Sequence, residues 1–152
     1  MNFKNIMMAA IAVLAISCGP GEKADHELKS IGLTVTVAGE TTIIESPKNE
    51  YMPAASQFYC DGKGVEVSEM EADAFPTDLK MLETAMTGTE DVKAITDKKT
   101  LPNGAFGVVY DNAKSEKEFL FYFKKGEKYF KITPVGNEDD YTECVEAIGT
   151  LK

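Results

Sequence analysis

The sequence is poor in the side chains from which many enzyme sites are built. Its 152 residues include no arginine, no tryptophan, one histidine and three cysteines. Without arginine the chain has no planar, bidentate clamp for phosphate or carboxylate, and zinc sites need several Cys or His ligands. Hydrolase triads need a base beside the nucleophile, and the one histidine, His26, lies in a polar segment. The composition therefore predicts a protein that is not an enzyme and has no metal or cofactor.

Positive charge is also scarce. The chain has 25 Asp and Glu residues against 16 lysines, which gives a formal net charge of −9. Nucleic-acid binding needs a basic surface that releases counterions, and anionic lipid headgroups attract basic segments. The charge argues against nucleic acid as a partner and against docking of the protein surface on anionic headgroups.

The first 17 residues have the layout of a secretory signal peptide. Lys4 supplies one positive charge, residues 6–16 are apolar, and Ser17 is a small residue at the end of this run,. The apolar run has 11 residues, whereas a membrane-spanning helix needs about 20. The segment therefore predicts a cleaved signal peptide over residues 1–17.

The end of this segment, Leu14-Ala15-Ile16-Ser17-Cys18, resembles the lipobox of bacterial lipoproteins. It departs from the family pattern in one place, because Ala15 stands where leucine is commonest. The resemblance implies cleavage before Cys18 and a diacylglycerol on its sulfur, which provides the two chains that stable anchoring needs. It also implies a location in the bacterial cell envelope, on the outer membrane or the periplasmic face of the inner membrane. The alternative is an ordinary signal peptide whose cleavage releases a soluble protein.

Lipidation of Cys18 would leave Cys60 and Cys144 as an even pair,. Export places them in an oxidising compartment, so we expect a disulfide that closes a loop of about 84 residues. The chain-entropy model credits a loop of this length with ~4.5 kcal/mol. Two unpaired buried thiols are the alternative. The spacing is not Cys-x-x-Cys, which gives little support to a thiol–disulfide switch.

The mature chain divides into a tether and a single domain. Residues 18–30 begin with Gly19-Pro20-Gly21, continue with charged residues and lack apolar periodicity, which predicts a lipidated N-terminus and a flexible tether. His26 falls in this segment, and we expect it to be solvated. Residues 31–152 are predicted to form one domain, since the 135 residues that remain after cleavage suit one domain,.

Hydrophobic patterning in residues 31–152 predicts an α+β domain with a mainly antiparallel sheet. Helical spacing predicts a helix over 75–86 and a second over 136–152 with Asn137 as its cap. The run Phe119–Phe123 is apolar at every position, which predicts a strand inside the sheet that is covered on both faces. The pattern predicts strands at 31–37, 41–44, 57–60, 65–67, 92–96, 105–110, 119–123 and 129–133, with hairpins joining the first two and the next two.

The order of these elements resembles the PsbP-like α/β/α sandwich. The resemblance rests on Gly-Leu-Thr-Val-Thr-Val at residues 32–37, on the terminal helix and on the element order over residues 31–152. It implies a sheet with the mid-chain and C-terminal helices packed on it, and a module that binds ligands or partner proteins. No functional motif accompanies the resemblance.

Two function classes follow from these observations. The first is a non-catalytic, membrane-anchored lipoprotein that binds an envelope protein or a small ligand. The alternative is a carboxylate-based hydrolase of envelope glycans, which needs two acids facing each other across about 5–10 Å. Glu66, Glu69, Glu71 and Asp73 are its candidate acids, although their alternation is also typical of a solvated strand face. The acids at 138–140 lack the spaced ladder of a calcium loop, so we interpret them as complementing the helix dipole.

The lipid anchor can be tested at its sulfur. We expect Cys18→Ser to abolish incorporation of labelled palmitate and to move the protein out of the membrane fraction, because a serine hydroxyl cannot form the thioether. Fractionation of cell envelopes, with mass spectrometry of the mature N-terminus, measures both effects. Cys60→Ser is the control and should stay anchored. Equal sedimentation of Cys18→Ser and the unaltered chain would contradict the anchor.

Overall fold

Nine strands form two antiparallel sheets in the computed structural model, which describes residues 21–152. The signal peptide predicted at 1–17 and the lipidation site Cys18 lie outside the described residues. The strands, in chain order, are β1 Lys23–Leu28, β2 Leu33–Ala38, β3 Ile44–Ser46, β4 Ala55–Cys60, β5 Lys63–Met70, β6 Val92–Thr100, β7 Phe106–Asn112, β8 Lys117–Lys125 and β9 Lys128–Val135.

Strands β1 and β2 pair as a separate hairpin, and the other seven form one sheet in the order β3-β4-β5-β9-β8-β7-β6. Two α-helices, α1 Leu79–Met86 and α2 Thr142–Ile148, and a 3-10 turn at Ala72–Ala74 complete the described elements. This architecture confirms the α+β class with a mainly antiparallel sheet. The closer likeness to a PsbP-type sandwich stays a prediction.

Strand β8 lies inside the large sheet and is covered on both faces, as its apolar run predicts. It pairs with β7 on one side and β9 on the other. Phe119, Phe121 and Phe123 belong to the hydrophobic cluster on one face, whereas Leu120 and Tyr122 belong to the cluster on the opposite face. Because side chains alternate along a strand, this one segment contributes to two separate cores.

The first face is covered by the β1–β2 hairpin and α2. Strand β2 has the alternating sequence Leu-Thr-Val-Thr-Val, and its apolar side chains are buried against the sheet. Helix α2 adds Cys144, Val145 and Ile148 to the same cluster. Full burial of a large aliphatic side chain contributes about 1.5–3 kcal/mol, so these contacts are what fix the hairpin and the helix on the sheet.

The second face is covered by the segment from Phe75 through α1. The Phe75 ring meets Phe106, Tyr122 and Tyr129 at centroid distances of 5.8, 5.7 and 4.9 Å. Helix α1 begins after Asp78, whose carboxylate accepts a hydrogen bond from the Met81 N–H at 2.7 Å. The predicted helix over 75–86 is therefore confirmed from residue 79 onward, while Phe75 packs before the helix begins.

Two predictions for the N-terminal part of the domain are wrong. Residues 23–28 are not a tether, because they form β1 and pair with β2 from Lys23↔Ala38 to Leu28↔Leu33. Leu28 at the end of β1 is fully buried. Residues 41–44 do not pair with β2, because β3 pairs with β4 in the large sheet. The pairing partner of β2 is supplied by the polar segment that precedes it.

The β4–β5 hairpin is confirmed, and its turn is tight. Cys60 pairs with Lys63, which leaves Asp61 and Gly62 as the two turn residues, with φ values of 51° and 76°. Two consecutive positive φ angles are the requirement of a type I′ turn, which Asp-Gly satisfies. The turn brings Cys60 to the end of the sheet beside α2.

The C-terminal helix is shorter than predicted. It begins at Thr142 after Tyr141, and Asn137 is not its cap. The Tyr141 hydroxyl donates to the Gly136 carbonyl at 3.1 Å and accepts from the Glu138 N–H at 3.0 Å. The Tyr141 ring also packs on Phe119. These contacts hold residues 136–141 as a loop around one aromatic side chain, in the place where the sequence pattern predicts a first helical turn.

Glu45 fastens the β1–β2 hairpin to the edge of the large sheet. Its carboxylate accepts hydrogen bonds from the Lys29 and Ser30 N–H groups at 2.7 and 2.9 Å and from the buried Ser56 hydroxyl at 2.5 Å. Desolvation by burial opposes ionisation, but the hydrogen bonds from Ser56, Ser30 and Lys29 outweigh it and lower the pKa of Glu45 below its usual 4.5.

We expect Glu45→Gln to destabilise the domain by about 1–2 kcal/mol at neutral pH, because the amide oxygen accepts weaker hydrogen bonds than a carboxylate and the amide NH2 group cannot accept any. A carboxyl with a depressed pKa stabilises the fold above its unfolded pKa and loses this contribution as pH falls through the folded pKa. The difference between the two proteins should therefore shrink below about pH 4.5. Urea unfolding at several pH values measures it, with exposed Glu50→Gln as control. A difference that is constant with pH would contradict the role of ionised Glu45.

Candidate functional site

A cavity of about 710 Å³ opens where the β1–β2 hairpin, the Asp61–Gly62 turn and α2 meet. Small-molecule sites typically enclose about 300–1,000 Å³, so this cavity has the size of such a site. Its lining residues come from four separate parts of the chain: Gly21, Lys23, Thr36, Val37, Ala38, Gly39, Glu40, Thr42, Tyr59, Cys60, Asp61, Gly62, Glu143, Glu146, Ala147 and Thr150.

Hydrogen bonds hold the hairpin wall of the cavity to the helix wall. The Thr36 N–H donates to Thr150 Oγ1 at 2.8 Å, and this hydroxyl donates to the Ala147 carbonyl at 2.6 Å. Beyond them, Thr34 and Lys152 exchange backbone hydrogen bonds at 2.9 and 3.1 Å. The chain after α2 thus extends along β2, and the two walls are kept in fixed register.

A second pair of hydrogen bonds fixes the wall beside β4. Thr41 Oγ1 donates to the Tyr59 carbonyl at 2.7 Å and accepts from the Tyr59 N–H at 3.0 Å. One hydroxyl thereby satisfies both backbone groups of Tyr59 where the β3 ladder no longer reaches. These hydrogen bonds hold the segment after β2 against β4 beside the cavity.

The rim of the cavity is acidic. Exposed Asp61, Glu143 and Glu146 stand on it together with Glu40, whereas Lys23 is the one lysine among the lining residues. An excess of carboxylates around a concave site produces a negative potential. The rim therefore favours cationic or neutral polar groups and disfavours anions.

Cys60 and Cys144 meet at one end of the cavity. They are 5% and 0% exposed, and both are free thiols in the structure. The hydrogen bond between them, in which Cys60 is the donor, is the main reason why the pKa of Cys60 is raised and that of Cys144 is lowered. The structure brings the two predicted disulfide partners together, and the bond itself stays a prediction.

His26 is placed differently from the prediction. It lies on β1 opposite Val35 and is half-buried, so the expected solvated histidine is wrong. Its Nε2 atom is buried and has no hydrogen-bond partner within the described part of the chain. A second cavity of about 400 Å³ lies beside it and shares Lys23, Gly39 and Glu40 with the larger one.

The candidate hydrolase acids do not converge. Glu66 accepts from Gln57 Nε2 at 2.8 Å, and Glu69 pairs with Lys128 at 2.7 Å. Their separation of three residues puts them on opposite faces of β5. The strand ends at Met70, so Glu71 and Asp73 do not continue it as the alternation predicts. None of the four acids lines either cavity.

Two absences concern the described residues 21–152. In this range no three Asp, Glu, His or Cys side chains come together in a way that could hold a metal ion. No helix in the same range has the length and apolar character needed to cross a membrane.

No protein-family model matches the chain, and no curated protein matches it. The candidate site therefore rests on geometry alone.

The bond between the cavity walls gives a stability prediction. Thr150→Val keeps the shape of the side chain but removes the acceptor of the Thr36 N–H, and an unsatisfied backbone donor costs about 1–3 kcal/mol. Thr150→Ser keeps the hydroxyl and is the matched control, which should lose less than half as much. Urea unfolding of the three proteins measures the difference. Equal stability of the valine and serine variants would show that this bond does not hold the walls together.

Proposed function

We propose that the chain is a non-catalytic, lipid-anchored lipoprotein of the bacterial cell envelope whose domain binds a small ligand in the 710 Å³ cavity. The observation that carries the proposal is the cavity itself, because its walls are joined by internal hydrogen bonds and its volume suits a small molecule,. The alternative ligand, a partner protein, would use the same rim.

The position of the cavity supports a link with the anchor. Gly21 is one of the lining residues, and it is the third residue after Cys18. The three steps of chain from Cys18 to Gly21 span at most about 11 Å when fully extended,. A lipid on Cys18 would therefore hold the mouth of the cavity close to the membrane surface.

The lining chemistry narrows the class of ligand. Thr36, Thr42 and Thr150 carry hydroxyl groups, and Val37 and Ala147 provide small apolar surfaces. Together with the acidic rim, this set suits a polar molecule that is neutral or carries an amine. It is unsuited to a phosphate or a carboxylate, since no arginine is present and the rim repels negative charge,.

Filling the cavity tests the proposal. Ala38 lines the cavity and is exposed, so Ala38→Trp should occupy ligand space without disturbing the core. Ala113→Trp is the matched control, because Ala113 is exposed in the turn between β7 and β8 and does not line the cavity. Each purified protein is incubated with a small-molecule extract of cell envelopes, and the retained compounds are identified by mass spectrometry after denaturation.

We expect the unaltered chain to retain one or more compounds at a level at least about ten times that retained by Ala38→Trp. A tenfold difference corresponds to about 1.4 kcal/mol of binding free energy. Ala113→Trp should retain them like the unaltered chain. Equal retention by all three proteins would contradict a ligand site in the cavity. Loss of a co-purifying protein in place of a small molecule would favour the partner-protein alternative.

A further inference from the structure

The two buried thiols join elements that are distant in sequence. Cys60 is the last residue of β4, and Cys144 lies in the first turn of α2. Cys144 Sγ is also 3.9 Å from the carbonyl oxygen of Lys63, the residue that pairs with Cys60 across the Asp61–Gly62 turn. The thiol of Cys144 is therefore seated at the end of the β4–β5 hairpin, beside the pair formed by Cys60 and Lys63.

The same pair lies between two walls of the cavity. Cys60 lines the cavity itself, next to Asp61. Cys144 is flanked in α2 by the lining residues Glu143 and Ala147, one residue before and three residues after it. A covalent bond between the sulfurs would tie the hairpin wall directly to the helix wall.

We propose that Cys60 and Cys144 are a redox-controlled clasp, in which a disulfide fixes α2 against the β4–β5 hairpin and reduction loosens this side of the cavity. Helix α2 has only seven residues, and a helix this short has little stability apart from its tertiary contacts. Formation of the disulfide does not depend on the function proposed above. The effect of the disulfide on ligand binding does rest on that proposed function.

The oxidation is a two-electron thiol–disulfide exchange with an external disulfide, either glutathione disulfide or the disulfide of an oxidoreductase. Cys60 lines the cavity and is 5% exposed, whereas Cys144 is fully buried. The Cys60 thiolate therefore makes the first attack, in which it bonds to one sulfur of the oxidant and releases the other as a thiolate. Cys144 then attacks the Cys60 sulfur of the mixed disulfide and displaces the second thiolate. Both cysteine protons pass to the two released thiolates, so two protein thiols and one external disulfide give one protein disulfide and two external thiols.

The surroundings of Cys144 act on its pKa in both directions. The hydrogen bond from Cys60 is the largest influence that lowers the pKa of Cys144, and the nearby Lys63 ammonium acts in the same direction. Burial and the carboxylates of Glu143 and Glu138 oppose this effect. In the mixed disulfide Cys60 has no proton left to donate, so the Lys63 ammonium is the influence that still favours the Cys144 thiolate in the second step.

The test uses the full chain purified without reductant and incubated with glutathione disulfide. Alkylation under denaturing conditions and peptide mass spectrometry should find a linked Cys60–Cys144 peptide and no alkylation at either residue. Hydrogen exchange is then compared before and after treatment with dithiothreitol. Amides of residues 142–148 and 61–62 should exchange roughly tenfold faster or more after reduction, since a disulfide that closes a long loop stabilises the fold. Neither measurement needs a ligand or a lipid.

The double variant Cys60→Ala/Cys144→Ala is the control, and its exchange should not respond to dithiothreitol. If this variant does not fold, the unaltered chain compared with itself before and after reduction decides the question. Two alkylated thiols after oxidant treatment, glutathione left on either cysteine, or a linked peptide that contains Cys18 would overturn the proposal. A Cys60–Cys144 bond whose reduction leaves exchange in α2 unchanged would overturn the clasp.

Discussion

The structure depends on one strand that is apolar on both sides. Strand β8 presents Phe119, Phe121 and Phe123 to one face of the sheet and Leu120 and Tyr122 to the other. Water has to be excluded from both faces, so the rest of the chain must supply two covers. The segment from Phe75 through α1 provides one cover in a single piece. The other cover consists of two pieces, the β1–β2 hairpin and α2, which are more than a hundred residues apart in sequence. The larger cavity lies where these two pieces meet at the end of the β4–β5 hairpin.

A cover made of two pieces needs additional links, and polar groups provide them. Glu45 binds the turn after β1 to the sheet through Ser56 and two backbone N–H groups. Thr150 links α2 to β2 through the Thr36 N–H. These contacts also satisfy the partly buried backbone donors of Ser30 and Thr36,. The walls of the cavity are consequently held by directional bonds in addition to apolar packing, and the end of α2 that carries Cys144 depends more on packing.

Local pattern was sufficient where an element's own residues determine its structure. The alternation of β2, the Asp-Gly turn of the β4–β5 hairpin and the apolar run of β8 all predicted the observed elements. Strand β1 could not be found in this way, because its order comes from pairing with β2 and its segment is mostly polar. The first turn of the predicted C-terminal helix failed for a related reason, since the Tyr141 hydroxyl binds loop groups that no local pattern reveals. The candidate site was missed because Thr36 and Thr150 are 114 residues apart and are ordinary residues in their own segments. The cysteines were the exception, because counting them identified a pair that the fold brings into contact.

Charge and anchoring act together if Cys18 carries the lipid. Cleavage before Cys18 removes one lysine and no acid, so the formal net charge changes from −9 to −10. An anionic membrane surface repels such a domain beyond the immediate reach of the anchor and concentrates cations in the gap between them. The cavity rim, with Asp61, Glu143 and Glu146, would face this gap because Gly21 lies on the cavity lining. The membrane and the rim would then favour the same class of molecule, since both exclude anions and both raise the local concentration of positively charged molecules. A polar ligand that carries an amine would be enriched at the mouth of the cavity before it makes any contact with the protein.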